Sequence, residues 1–151
     1  QRVGFIGGPL EELEVQHRLA GYETALKDAG REIDPLLMEY GDFSNTSGAD
    51  ATRRLLKKAP EVDAVFVNSD LMAIAAMDAI REEGRRVPED IAVVGYDDLS
   101  IAEHSNPPLT TIRQNIPLAG KLLAQNLIES LQTGMVTNVT IPVELIIRKS
   151  A

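Results

Sequence analysis

Two adjacent carboxylates, Asp97 and Asp98, follow an apolar run that begins at Ile91. Such a pair could be an acid/base dyad, a metal site, a ligand contact or simply a polar turn. Adjacent residues of an extended strand point to opposite faces, so the two side chains cannot act on one substrate while the strand persists. We therefore expect Asp97 to contact a ligand and Asp98 to start the turn toward Ser100.

Arg18 is the second candidate, because it lies on the inner flank of an amphipathic pattern between Val15 and Tyr22. A guanidinium turned toward a core is costly unless it meets a carboxylate or a ligand, and Asp97 is the predicted partner. An arginine and an aspartate beside an aromatic ring suit a neutral, polyhydroxylated ligand. A snorkelling surface arginine or a purely structural ion pair would give the same pattern.

Other chemistry has little support. The two histidines, His17 and His104, have no ligand-spaced neighbours, so we predict no metal site. The chain has no cysteine, which excludes thiolate chemistry and fits a reducing cytoplasm. No nucleophile motif or phosphate-binding loop follows any predicted strand. We therefore predict that the protein is not an enzyme and uses no cofactor.

The composition limits the partners. The chain has 151 residues, of which 44% are hydrophobic, enough for one domain with a proper core. Its 15 basic and 23 acidic residues give a net charge of −8, so it should not bind nucleic acid by itself. No apolar run approaches membrane-spanning length, and we predict no membrane contact. The chain starts at Gln1 and enters a strand pattern at once, so we expect a fragment of a longer protein.

The elements that must position these residues alternate along the first two thirds of the chain. Strand-like runs occur at residues 3–6, 35–40, 62–67 and 91–94, and helical patterns at residues 15–29, 51–60 and 70–83. Strict alternation predicts an α/β fold with a doubly wound, mostly parallel sheet and helices on both faces. A further helix is expected at residues 117–134, before a last strand at 143–148.

In such a sheet, the ligand crevice lies outside the carboxyl ends of the strands. Phe43, Ser69 and Asp70 come just after predicted strands, as Asp97 does. We expect them to form one rim with Arg18. The alternatives are a core aromatic for Phe43, and a helix N-cap with its first-turn acid for Ser69 and Asp70.

The segment from Leu71 to Ala79 is apolar on nearly every helical face. One side can cover the sheet, and we expect the remainder to pack in a second subunit. The alternative is a helix buried entirely within the domain.

Six stretches then match one family pattern in order. They are residues 18–22, 41–43, 68–73, 87–98, 106–114 and 145–150. Together they resemble the lactose-repressor/galactose-repressor (LacI/GalR) family of bacterial transcription regulators, over essentially the whole chain. The resemblance implies a periplasmic-binding-protein-like lobe, the C-terminal half of an effector-sensing module, with the N-terminal helix-turn-helix domain absent.

The resemblance also implies roles for individual residues. The side chains expected to face the effector are Arg18, Phe43, Ser69, Asp70 and Asp97. Met72 and Ile74 are expected at a homodimer interface. The segment 12–14 varies among members and leaves the effector open, although a small polar molecule, such as a sugar, is expected. DNA would be bound only through the absent domain, in the cytoplasm.

The same resemblance divides the chain. Residues 1–106 and 140–151 would form the lobe, and residues 107–139 would cross to the missing lobe. The stripe of Leu123, Leu127 and Leu131 is then expected to pack on another copy or to be poorly placed. A periplasmic sugar-binding component of a transporter is the alternative, because it shares the fold.

Overall fold

A computed structural model describes residues 2–151 of the chain, and its centre is a six-stranded sheet. The strands are β1 (Val3–Gly7), β2 (Met38–Tyr40), β3 (Ala64–Val67), β4 (Ala92–Asp97), β5 (Thr110–Gln114) and β6 (Val143–Ile146). The helices are α1 (Leu13–Asp28), α2 (Asn45–Lys58), α3 (Asp70–Glu82), α4 (Ser100–His104) and α5 (Ile116–Thr133).

The strand order is β2-β1-β3-β4-β5-β6, and only the pair β5 and β6 is antiparallel. The predicted α/β class and mostly parallel sheet are therefore confirmed. Because β2 and β3 lie on opposite sides of β1, the order reverses between β1 and β3. A reversal of this kind opens a crevice at the carboxyl edge of the sheet.

Two cores cover the two faces of the sheet. Phe5 packs on one face, where its ring centre lies 5.3 Å from that of Tyr22 in α1 and 5.8 Å from that of Phe66. On the other face, the larger core contains Val65, Val67 and the buried sides of α2 and α3. Strand residues alternate between these cores with the period of two that a pleated strand requires.

Two elements differ from the predictions. Residues 35–37 form a 3-10 turn instead of strand, because Asp34 accepts a hydrogen bond from the Leu36 N–H and Pro35 stands at the first helical position. Helix α2 begins at Asn45, six residues before the predicted helical pattern at residues 51–60. Its start is set by Ser44, whose hydroxyl accepts a hydrogen bond from the Ser47 N–H.

Helix α3 is buried within this chain far more than expected. Met72 is 0% exposed, and a Cβ atom on Gly48 of α2 would lie 2.7 Å from its Cα. The prediction that Met72 faces a second subunit is therefore wrong, because α2 already covers it. Only a narrow stripe of α3 retains exposed surface, and it includes Leu71 and the partly buried Ile74.

The predicted boundary at residue 107 is also wrong. Leu109 and Thr111 are fully buried, and β5 pairs with β4 along its length, so this strand belongs to the lobe. The chain returns at Ser150, whose hydroxyl donates to the Val93 carbonyl and accepts from the Thr110 N–H.

Helix α5 contrasts with the rest of the fold, since none of its residues is buried. Leu123 is 71% exposed and Leu131 is 80% exposed. An apolar stripe of this size is open to a partner, and its packing on another copy stays a prediction. Between residues 2 and 151, no helix combines the length and the apolarity needed to cross a membrane.

Candidate functional site

A cavity of about 320 Å³ opens at the carboxyl edge of the sheet. It is lined by Glu12, Glu14, Arg18, Phe43, Ser69, Leu71, Asp97 and Leu99. Four of the five predicted ligand contacts are therefore brought together, although they come from four separate stretches of the chain. Asp70 is the exception.

Strained backbone marks two of these lining residues. Phe43 has φ 68° and Asp97 has φ 112°, values that side chains other than glycine rarely adopt. Such residues persist only where surrounding contacts hold them, and they concentrate at functional sites. Their presence among the lining residues of one cavity supports a functional assignment.

Phe43 is held by a small polar turn. The Asp42 carboxylate accepts a hydrogen bond from the Ser44 N–H at 3.0 Å, and the Asp42 N–H donates to the Ser47 hydroxyl at 3.0 Å. Hydrogen bonds from Ser44 and Ser47 lower the pKa of Asp42 to about 2. On its other side, the Phe43 ring lies so close to Gly8 that any Cβ atom there would overlap it. Gly8 therefore leaves the space that the ring occupies.

Arg18 is anchored differently from the prediction. Its Nη1 donates a hydrogen bond to the Asn68 carbonyl oxygen at 2.8 Å, and its Cζ lies 3.8 Å from the centre of the Tyr96 ring. No direct ion pair joins Arg18 to Asp97 among the described contacts, so the predicted salt bridge is absent, although the charge of Arg18 still acts on the Asp97 carboxylate. A stacked guanidinium with one committed N–H keeps further donors for a ligand.

Asp97 has its own anchor, Gln114, whose side-chain nitrogen donates to the carboxylate at 2.7 Å. Burial raises the pKa of Asp97 above its ordinary value, although the Gln114 hydrogen bond and the charge of Arg18 act in the opposite direction. One donor and one acceptor thus line the same cavity, and each is fixed by a different neighbour.

Asp98 has a different task from Asp97. Its two carboxylate oxygens accept from the Arg113 Nε at 2.6 Å and from an Arg148 guanidinium nitrogen at 2.7 Å. Burial alone would raise the pKa of Asp98, but these two hydrogen bonds hold it below the ordinary value. Asp98 therefore ties β4 to β5 and to the returning end of the chain, which is more than the predicted start of a turn.

Asp70 is the predicted contact that the structure contradicts. It is 0% exposed, and its carboxylate accepts from the Thr111 hydroxyl at 2.5 Å and from the Leu99 N–H at 2.7 Å. Burial raises the pKa of Asp70, ahead of the opposing effect of these hydrogen bonds. Asp70 lies inside the fold and positions Leu99, which does line the cavity.

Sequence reasoning missed several contributors. Leu71 and Leu99 line the cavity, yet each follows a polar stretch and carries no chemical signal of its own. Gln114 reaches Asp97 only because β4 and β5 pair with Asp97 opposite Arg113, a register that the sequence does not display.

Across residues 2–151, no group of three or more acidic or histidine side chains could hold a metal ion.

Comparison with known proteins gives one consistent picture. Residues 1–151 match the family described as the periplasmic binding protein-like domain. Among curated proteins, the chain is 48% identical over 147 residues to the HTH-type transcriptional regulator CelR of Thermobifida fusca, covering 97% of this chain and 42% of that protein. It is 41% identical over 127 residues to the ribose operon repressor of Escherichia coli (strain K12), covering 84% and 38%.

Solved structures agree. A transcriptional regulator CelR–cellobiose complex superposes with a TM-score of 0.94 at 45% identity, covering 99% of this chain and 46% of that one. The Lac repressor bound to ONPG in the repressed state superposes with a TM-score of 0.93 at 37% identity, covering 100% and 46%. The chain thus spans less than half the length of these relatives.

Proposed function

Because the chain belongs to the periplasmic binding protein-like domain family, within which its relatives are LacI-type regulators, we propose that it is the C-terminal effector-binding lobe of such a regulator. One observation carries the proposal. Arg18 and Asp97, each anchored by a different neighbour, line one cavity with the Phe43 ring, at the edge of the sheet where ligands bind in this kind of fold.

The proposed ligand is a carbohydrate. Arg18 supplies N–H donors, Asp97 supplies carboxylate acceptors, and vicinal hydroxyls of a sugar can use both. Phe43 offers an aromatic face to the apolar side of a sugar ring. These groups bind and orient without a nucleophile, so the proposed role is sensing and not catalysis. The relative solved with cellobiose makes that disaccharide the first ligand to test.

The proposed mechanism uses the exposed face of α5 and β6. In the full-length protein a second lobe, in place of the other copy expected for the isolated chain, would pack on that face, and a sugar held between the two lobes would favour one arrangement of them. Differential affinity for the two arrangements would move the paired DNA-binding domains, which lie outside this chain. The stripe of α3 that includes Ile74 is the proposed homodimer contact. The proposed location of the protein is the cytoplasm.

A transporter component is the second candidate, since it shares the fold. The relatives named above are a transcriptional regulator and an operon repressor, and this favours the regulator.

The test of sugar binding is calorimetry and thermal unfolding of the full-length protein against neutral sugars, with cellobiose first. We expect saturable binding and a rise in the unfolding temperature. A folded protein that binds no sugar of such a panel would contradict the proposal.

The affinity for the sugar should depend on pH through Asp97. The ionised carboxylate is the form that accepts hydroxyl hydrogen bonds, and burial raises its pKa above the ordinary value. The sugar affinity therefore has its full value at neutral pH, where the Asp97 carboxylate is ionised. It falls as the pH drops through the raised pKa of Asp97, by about tenfold for each pH unit below that pKa. Calorimetry from pH 7 downward, as far as the protein stays folded, measures this slope. Asp97→Asn should bind weakly at both ends of the range, and an unchanged slope in that variant would contradict the assignment.

Gly8→Ala should weaken sugar binding without unfolding the protein. Its new methyl group would overlap the Phe43 ring, which can swing aside at its free end but then leaves its wall of the cavity. We expect about a tenfold loss of affinity, the size of one lost stacking contact. Gly21→Ala in α1 is the matched control, since its methyl group meets nothing within 4 Å. Equal affinity in both variants would show that Phe43 does not contact the sugar.

A further inference from the structure

The mouth of the cavity carries two carboxylates that the proposed function leaves unused. Glu12 and Glu14 line the cavity at the start of α1, and both are exposed. Neither side chain takes part in an ion pair or a hydrogen bond within residues 2–151. Their charges are therefore held in no direct ion pair among the described residues, and they add to the electrostatic field inside the cavity.

The balance of charge inside the cavity is negative. Three carboxylates, those of Glu12, Glu14 and Asp97, face one guanidinium, that of Arg18. Arg18 is also partly committed, because it donates to the Asn68 carbonyl oxygen and stacks on Tyr96. A single arginine in this position can hold hydroxyl groups, but it cannot offset both the lining and a charged ligand.

The start of α3 offers no compensating anion site. A free helix N-terminus attracts anions through its unpaired N–H groups and its dipole. Here the Ser69 hydroxyl accepts from the Met72 N–H at 3.3 Å, and Asp70 stands in the first turn. The positive end of α3 is therefore already occupied by groups of the chain.

We infer that the cavity selects uncharged sugars and rejects sugars that carry a carboxylate or a phosphate, and that Glu12 and Glu14 impose this choice. The inference rests on the proposed function, which it narrows from carbohydrates in general to neutral ones. Specificity of this kind comes from a repulsive element placed against the wrong ligand. A neutral sugar can still donate its hydroxyl hydrogens to the same carboxylates.

The test compares two sugars of nearly equal shape in the full-length protein. Cellobiose is neutral, and its uronic acid analogue has a carboxylate in place of one terminal hydroxymethyl group. We expect the analogue to bind at least about tenfold more weakly at low salt, and the gap to shrink as added salt screens the charges. Cellobiose 6-phosphate, with a larger charge at neutral pH, should bind more weakly still.

Single and double Glu12→Gln and Glu14→Gln variants assign the effect. The double variant should bring the analogue to within about threefold of cellobiose, because the repulsion is removed while the shape of the cavity is kept. Glu11→Gln is the matched control, since Glu11 is exposed in the same segment but does not line the cavity, and it should leave the gap unchanged.

The possible results distinguish failure of the proposed rejection of charged sugars from failure of the proposed sugar binding itself. If the analogue binds as tightly as cellobiose, or if the double variant leaves the gap intact, the inference is overturned while sugar binding stands. If folded protein binds neither the charged sugars nor any neutral sugar of the panel, carbohydrate sensing is overturned and the inference with it.

Discussion

Arg18→Ala is expected to weaken sugar binding by about 30- to 150-fold, the equivalent of roughly 2–3 kcal/mol for hydrogen bonds to a charged group. The loss arises because the hydroxyls that Arg18 would bind have no other cation among the described residues that line the cavity. The partner contacts of Arg18 within the fold are one carbonyl oxygen and one aromatic face. Stability should therefore change much less than affinity.

The measurement is calorimetry on the full-length protein beside thermal unfolding of the same samples. Arg18→Lys separates charge from geometry, since lysine keeps the charge but not the planar fork of donors. We expect it to recover only part of the affinity. Arg86→Ala is the matched control, because Arg86 is an exposed arginine paired with Asp90 and does not line the cavity. An Arg18→Ala variant with unchanged affinity would show that the site is assigned wrongly.

The periodic patterns predicted the framework of the fold well. The alternating elements and the parallel sheet followed from local features that the chain displays directly. The N-cap at Ser69, given only as the alternative to a ligand contact, is also present. The crevice rule then brought Arg18, Phe43 and Asp97 to one place without any knowledge of their contacts. A rule about strand ends is enough to find this cavity, because its lining residues lie at or just after the ends of strands, or in the helix that comes after a strand.

Depth within the fold could not be predicted in the same way. Ser69 and Asp70 are neighbours at the start of α3, and a helix turns by about 100° per residue, so one can face the cavity while the other enters the core. Which of them does so depends on Thr111 and Leu99, which are distant in sequence. The burial of Met72 depends on α2 in the same way.

Asp70→Ala should therefore damage stability and not recognition. The change leaves the buried Thr111 hydroxyl and the Leu99 N–H without their acceptor, and unsatisfied groups of this kind cost about 1–3 kcal/mol each. We expect the free energy of unfolding to fall by about 3 kcal/mol, whereas affinity for the sugar, measured well below the unfolding temperature, should fall less than about tenfold. This small loss of sugar affinity would come from movement of Leu99 at the cavity wall.

Asp78→Ala on the same helix is the matched control. Asp78 is exposed and, within residues 2–151, pairs only with Arg81, three residues later, so its removal should change the free energy of unfolding by less than about 0.5 kcal/mol. Chemical denaturation of both variants gives the comparison. If Asp70→Ala instead kept its stability and lost the sugar, Asp70 would be a ligand contact after all. The two variants Arg18→Ala and Asp70→Ala would then have the same effect, whereas the structure requires opposite ones: lost affinity with stability kept, and lost stability with affinity largely kept.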